Sequence, residues 1–152
     1  MSVNNSSLSQ DHEKAAKINL LNYEIHGKLP IYVGITGHRQ MTDQDVLRAY
    51  DQITALLVSL KDTYPHTPIV AVTPLAEGAD RILAYAAREL GIAYLVPMPC
   101  REAAYVAGFV DEAARAEYRR LAEMADARYA VDDTDRLDAD QYRKVGEHVA
   151  RH

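Results

Sequence analysis

The sequence predicts an α/β fold: a Rossmann-like three-layer α/β/α arrangement with a mostly parallel sheet of about four strands. Two observations predict it. Short apolar runs rich in β-branched residues alternate along the chain with amphipathic helical patterns. The first of these runs, Ile31–Thr36, is apolar without alternation, which is typical of a strand covered on both faces. A tight glycine-containing turn and a helical pattern follow it directly.

Four strands and four helices are expected in this order. The strands are predicted at 31–36, 68–72, 92–96 and 128–131, and the helices at about 44–61, 78–90 and 110–125 and from Tyr142 onward. Apolar residues recur at three- and four-residue steps along each helix, which makes one buried stripe, and Gly91 is a natural helix C-cap. Because four strands leave an open sheet edge, we expect a homo-oligomer.

The chain divides into an N-terminal arm, residues 1–28, and a domain, residues 29–152. The arm begins with a Ser- and Asn-rich stretch that is typical of disorder, and a short helix is predicted from Asp11 to about Tyr23. Gly27 and Pro30 punctuate the end of that helix. We therefore expect an arm that is partly disordered or helical and that packs on the domain or on a partner.

Composition limits the class of protein. The net charge of -5 argues against a nucleic-acid partner, which would favour a basic face. The single cysteine excludes an internal disulfide and fits a reducing compartment. No apolar run approaches the roughly 20 residues of a membrane span, and the N-terminus lacks a signal-peptide pattern. We therefore expect a cytoplasmic protein with no membrane partner.

The loop after the first strand has the composition of an anion-binding turn. Gly37 would let the backbone approach an anion closely, and Arg39 has the forked N–H groups that suit a phosphate or a carboxylate. His38 adds a further hydrogen-bond donor. In the alternative interpretation Gly37 only makes a tight turn and Arg39 pairs with a surface acid, and a single glycine turn does not decide between the two.

The loop after the second strand offers a second candidate. Gly78 and Ala79 place backbone N–H groups at a helix start, where they can hold an anion. Glu77 and Asp80 can accept hydrogen bonds from ribose hydroxyls. Alternatively, Asp80 only complements the helix dipole and Glu77 is solvated.

Residues outside these two loops carry less weight. Tyr105, after the third strand, can stack on a base, although an aromatic residue beside a helix is also typical of a core. His148 and His152 are four residues apart on a helix but lack the glutamate and the third ligand of helical zinc motifs. Cys100 has no positioned histidine and is expected to be inert. We therefore expect no metal site and no cofactor.

Three motifs in order resemble the SLOG superfamily, which joins the Smf/DprA DNA-processing proteins with the LOG phosphoribohydrolases. They are Gly34-Ile35-Thr36-Gly37-His38-Arg39, then Pro74-Leu75-Ala76-Glu77-Gly78-Ala79-Asp80-Arg81, then Leu95-Val96-Pro97-Met98-Pro99. The resemblance covers about residues 31–152 and implies a modified Rossmann fold that binds, and in several branches senses, nucleotides or nucleotide-derived ligands. It implies a pocket lined by Gly37, His38, Arg39, Glu77, Gly78, Ala79 and Asp80.

The chain departs from the LOG enzymes in one respect. Their Pro-Gly-Gly-x-Gly-Thr-x-x-Glu loop, which carries a catalytic glutamate after a later strand, has no counterpart here. We therefore expect the front part of such a domain, or a shortened one, in which ligand binding is better supported than glycosidic hydrolysis.

The function expected from the sequence is binding or sensing of a nucleotide or nucleotide-derived ligand through phosphate-cradling loops after strands 1 and 2. One alternative is an N-glycoside hydrolase, LOG-like or deoxyribosyltransferase-like, with Glu77 as the catalytic carboxylate. Another is a DNA-processing module like DprA, which the acidic balance disfavours. The expected ligand-binding residues are Gly34, Thr36, Gly37, His38, Arg39, Glu77, Gly78, Ala79, Asp80, Arg81 and Tyr105.

Overall fold

The computed structural model describes residues 29–152, so the predicted N-terminal arm lies outside the described residues. The elements are β1 (Ile31–Gly34), α1 (Asp43–Thr63), β2 (Ile69–Val72), α2 (Ala79–Glu89), β3 (Ala93–Met98), α3 (Glu102–Ala107), α4 (Glu112–Met124), β4 (Ala127–Ala130) and α5 (Ala139–Arg151). Within residues 29–152, none of the helices has the length and apolarity needed to cross a bilayer.

The four strands form one parallel sheet in the order β1-β2-β3-β4. Ile31 lies opposite Ile69 at one edge, and Leu95 lies opposite Ala127 at the other. Because neighbouring strands are consecutive in the chain and every crossover moves in the same direction, the connecting helices pack on one face of the sheet. The predicted α/β class with a four-stranded parallel sheet is confirmed.

The main core lies between this face and the helices α1, α2 and α4. Leu57 of α1, Leu83 of α2 and Leu121 of α4 are fully buried against the inward side chains of β3, Tyr94 and Val96. Each buried leucine removes its apolar surface from water, which contributes on the order of 2 kcal/mol. The amphipathic stripes predicted for α1, α2 and α4 face this core, except that Val46 and Val110 are exposed.

The last helix, α5, covers the opposite face. Side chains alternate along β1, so Tyr32 and Gly34 point away from the core that contains Val33. The His152 ring stacks on Tyr32 with centroids 4.8 Å apart. Val149 lies over Gly34 so closely that a Cβ atom at position 34 would be 2.4 Å from its Cγ1. The fold therefore has three layers, as predicted.

Most predicted boundaries differ from the structure by one or two residues, including the end of β3 at Met98 rather than Val96, and one helix was not predicted. Strand β1 ends at Gly34 rather than Thr36, because its neighbour β2 ends opposite it at Val72. Helix α5 begins before Tyr142, because the Asp138 side chain accepts a hydrogen bond from the backbone N–H of Asp140 and caps the helix there. Helix α3, a short element between β3 and α4, was not predicted.

Candidate functional site

The loops after β1 and β2, which the sequence predicts to converge, are in direct contact. A Cβ atom at Gly78 would lie 2.3 Å from the carbonyl oxygen of His38 and 2.9 Å from Cα of Arg39. A Cβ atom at Gly37 would lie 2.6 Å from Cβ of Ala79. Both glycines are therefore needed for close approach of one backbone to the other.

The start of α2 binds the neighbouring loop. The N–H of Ala79 donates to the His38 carbonyl at 3.4 Å, and the N–H of Arg81 donates to the Gly78 carbonyl at 3.2 Å. The Ala79 amide, which the sequence suggested as an anion donor, is therefore already occupied. Its role in the structure is to fix the β1 loop against α2.

Several backbone donors of the β1 loop have no partner within the described part of the chain. Among residues 29–152, the backbone N–H groups of Thr36, Gly37 and His38 have no hydrogen-bond acceptor. Successive free amides in a turn are a typical anion-binding arrangement in proteins. Within the same residues, unpartnered amides therefore lie in both loops, in the β1 loop and at Glu77, Gly78 and Asp80 around the start of α2.

A cavity of about 850 Å³ opens beside this loop at the carboxyl ends of β1 and β2. The predicted site residues that line it are Gly34, Thr36, Gly37, Arg39, Glu77, Asp80 and Tyr105. The predicted residues that do not line it are His38, Gly78, Ala79 and Arg81. The volume is within the range of small-ligand sites, and the position is where parallel sheets bind their ligands.

Sequence reasoning missed one side of the cavity, which α5 forms. The lining residues not predicted are Tyr32, Ile35, Pro74, Ala76, Tyr142, Val145, Gly146, Val149, Ala150 and His152. A Cβ atom at Gly146 would meet no atom within 4 Å, so this face of α5 adjoins open space. A glycine inside an amphipathic helical pattern was the available indication, because glycine there weakens a helix and needs a reason.

Arg39 is exposed at the edge of the cavity. Its guanidinium lies over the Tyr142 ring, with Cζ 4.6 Å from the ring centroid, which is a cation–π contact. No carboxylate among residues 29–152 lies within 4 Å of it. The guanidinium also makes a hydrogen bond with the Tyr142 side chain, and its other N–H groups are available to an anion.

Arg81, in contrast, is a buried structural residue, 4% exposed. Its Nε donates to the Leu75 carbonyl at 3.1 Å, its Nη1 pairs with Glu117, and its Cζ lies 5.0 Å from the centroid of the Phe109 ring. These contacts connect the β2 loop to α4. Arg81 does not line this cavity, and its role in ligand binding there stays a prediction.

The β2 loop is held rigidly. Leu75 has a φ of 60°, a left-handed conformation that is uncommon for a residue with a side chain. The Thr73 hydroxyl accepts from the Leu75 N–H at 3.3 Å and donates to the Asp80 carbonyl at 2.8 Å. The Tyr105 hydroxyl donates to the Pro74 carbonyl at 3.0 Å. A pre-formed loop loses little conformational freedom when a ligand binds.

Tyr105 contacts both the β2 loop and the hydrophobic core. Its ring centroid lies 4.9 Å from that of Phe109 and 5.6 Å from that of Tyr118, and the residue is 1% exposed. Its main role is therefore packing, the alternative that the sequence left open. Tyr105 is nevertheless one of the residues that line the cavity.

Two carboxyl groups line the cavity. Burial raises the pKa of Asp80 to about 6, although the Ala76 N–H that it accepts at 3.2 Å and the charges of Arg39 and Arg81 lower this pKa. Glu77 accepts the N–H of Val110 at 3.2 Å. Asp80 therefore retains a proton at a pH where an ordinary aspartic acid has lost it.

The two histidines of the C-terminal helix region and the single cysteine make contacts within the protein or are buried in it. The Tyr129 hydroxyl lies 2.7 Å from Nε2 of His148 and 3.2 Å from Nε2 of His152, and burial lowers the pKa of both histidines. Cys100 is buried, and this burial raises the pKa of its thiol. In the part of the chain that the structure describes, no three His, Cys, Asp or Glu side chains are grouped to hold a metal ion.

Comparison with known proteins adds no family. No protein-family model matches the chain. A search of curated proteins likewise gives no match.

Proposed function

We propose that this protein binds a nucleotide or a nucleotide-derived ligand in the cavity between the β1 loop and α5. The observation that carries the proposal is the pair of unpartnered N–H groups of the lining residues Thr36 and Gly37 beside Arg39, a cation without a carboxylate partner among the described residues. Amides and a guanidinium on one side of a cavity supply the hydrogen bonds and charge that a phosphate requires.

The rest of the cavity suits the remainder of a nucleotide. Ile35, Pro74 and Val149 supply apolar surface, and the Tyr142 ring supplies an aromatic face. Ligand sites in proteins are mostly apolar with a few convergent polar groups, which matches this lining. The carboxyl group of Asp80 can accept a hydrogen bond from a sugar hydroxyl. The resemblance of both loops to the SLOG superfamily supports the same ligand class.

Calorimetric titration with AMP, GMP, CMP, UMP and the corresponding nucleoside diphosphates tests the proposal. At least one of them should bind, and Arg39→Ala should weaken that binding tenfold or more because a charge-assisted bidentate pair is lost. Arg48→Ala is the matched control, since Arg48 is an exposed arginine on α1 that lines neither loop nor cavity. Flat titrations across the panel, or equal effects of the two variants, would contradict the proposal.

One observation favours a second candidate function, N-glycoside hydrolysis. Glu77 and Asp80 line the same cavity, and burial raises the pKa of Asp80 to about 6. A carboxyl group that retains its proton, as Asp80 does, can serve as a general acid, and a second carboxyl group in the same cavity can stabilise an oxocarbenium-like transition state. Release of free base from a nucleoside monophosphate, lost in Glu77→Gln with binding retained, is the expected result. Intact nucleotide after prolonged incubation would reject hydrolysis.

A further inference from the structure

A second groove, of about 730 Å³, begins where the first cavity ends. Arg39 and Glu77 line both, so the two spaces meet at these side chains. Gly78 lines the second groove from the β2 loop, and Glu117 and Arg120 line it from α4. A ligand whose phosphate reaches Arg39 can therefore continue toward α4 without leaving the protein surface.

Arg120 is oriented by a neutral group rather than by an acid. Its Nη2 donates to the Tyr85 hydroxyl at 2.6 Å, and its Cζ lies 5.8 Å from the centroid of that ring. The Tyr85 hydroxyl in turn donates to Oε1 of Glu117 at 2.7 Å, while the other oxygen of Glu117 pairs with Arg81. Arg120 is thus held in place through the Tyr85 hydroxyl, near Glu117 but with no carboxylate of residues 29–152 within 4 Å.

Unpaired arginines are a minority among the residues that the structure describes. Those without a carboxylate within 4 Å are Arg39, Arg48, Arg88 and Arg120. Of these, Arg39 and Arg120 both line the second groove. The adjacent Arg119 is paired with Glu112 at 2.7 Å, so its charge is already compensated.

The acids of the groove are engaged by the protein itself. Glu117 pairs with Arg81, Glu77 accepts the N–H of Val110, and Asp111 caps α4 by accepting the N–H of Ala114 at 2.8 Å. The pairing with Arg81 compensates the charge of Glu117, whereas the backbone N–H groups orient the carboxyl groups of Glu77 and Asp111 without adding a positive charge. Arg39 and Arg120 are the lining arginines with no carboxylate of residues 29–152 within 4 Å.

We propose that the groove binds a second phosphoryl group through Arg120, so that the ligand is a nucleoside diphosphate or a diphosphate ester rather than a nucleoside monophosphate. This inference rests on the proposed function, which places the first phosphoryl group at the β1 loop. A chain of two phosphoryl groups then extends from the loop past Arg39 toward α4.

Paired titrations of each nucleoside monophosphate and diphosphate, with wild type, Arg120→Ala and Arg119→Ala, test it. For the base that binds best, the diphosphate should bind wild type at least tenfold more tightly than the monophosphate. Arg120→Ala should remove this advantage and leave the monophosphate affinity within twofold. Arg119→Ala removes the same charge from the same helix outside the groove and should change neither affinity.

Four outcomes would overturn the inference. Equal affinity of monophosphate and diphosphate for wild type leaves the proposed function standing and rejects the second subsite. The second subsite is also rejected if the diphosphate still binds Arg120→Ala more tightly than the monophosphate does. It is rejected as well if Arg119→Ala removes this advantage to the same extent as Arg120→Ala. Absence of binding by all eight nucleotides, in protein whose circular dichroism shows it to be folded, rejects the proposed function and the inference with it.

Discussion

The carbonyl oxygen of His38 lies 2.3 Å from the point that a Cβ atom at Gly78 would occupy. This close approach sets the geometry of the site, because it places the backbone of the β1 loop against Gly78, the residue immediately before α2. Gly78 also has a φ of 89°, a conformation that side chains rarely adopt. The geometry of the β1 loop therefore depends on a residue that does not itself line the cavity.

Gly78→Ala should destabilise the protein by about 3 kcal/mol or more, since a strained backbone is combined with a clash. Gly91→Ala is the control: Gly91 also has a positive φ, of 66°, but its Cβ would meet nothing within 4 Å. Its cost should be about 1–2 kcal/mol. Urea unfolding of both variants measures the difference, and equal losses would show that the contact between the loops is not tight.

Gly146 provides a test of the cavity that leaves the loops untouched. Gly146→Ala should raise the free energy of unfolding by about 0.5–1 kcal/mol, because alanine is the better helix former and the site is open.

Gly146→Phe should occupy the space beside α5 and weaken nucleotide binding without destabilising the fold. Full binding by Gly146→Phe would show that the ligand does not enter this cavity.

The pH dependence of stability should report Asp80. Its pKa is about 6 in the folded protein, against about 3.9 in an unfolded chain, so the folded state binds the extra proton between pH 4 and 6. The resulting stabilisation is present below about pH 4 and is lost as the pH rises through 6; the two-unit shift limits it to about 3 kcal/mol.

Asp80→Asn removes this titration while keeping an acceptor for the Ala76 N–H. The difference in unfolding free energy between wild type and Asp80→Asn should therefore change by up to about 3 kcal/mol between pH 4 and 7, in the direction that disfavours wild type at pH 7. Chemical unfolding at both pH values measures it. A constant difference would mean that Asp80 ionises normally.

Tyr142 should act as a positioning residue for Arg39, whose guanidinium stacks on its ring. Tyr142→Leu should weaken nucleotide binding about five- to tenfold, while Tyr142→Phe, which keeps the aromatic face, should restore most of the affinity. Calorimetric titration of both variants is the measurement. If phenylalanine binds no better than leucine, the hydroxyl or the helix packing matters instead of the stack.

The fold could be predicted because its determinants are local. The uninterrupted apolar run of β1 and the helical stripes indicate layers and order, and Gly91 marks the end of α2 through its backbone conformation. The two loops could be located for a similar reason, since parallel strands bring their carboxyl ends to one edge of the sheet.

The contacts within the site could not be predicted, because they depend on tertiary packing. Sequence does not show that the Ala79 amide is taken by His38, or that Arg81 turns into the core toward Glu117. It also gave no indication that α5 crosses the far face to bring Tyr142 beside Arg39. Each of these contacts joins residues far apart in the chain or in different elements.

The most direct test of the central claim is a nucleotide titration followed by NMR of the backbone amides. We expect the N–H resonances of Thr36, Gly37 and His38 to shift most, with a smaller change at Ala79, whose N–H already donates to the His38 carbonyl. Saturable binding that leaves the resonances of residues 36–38 in place, or that moves only residues between α3 and α4, would contradict it.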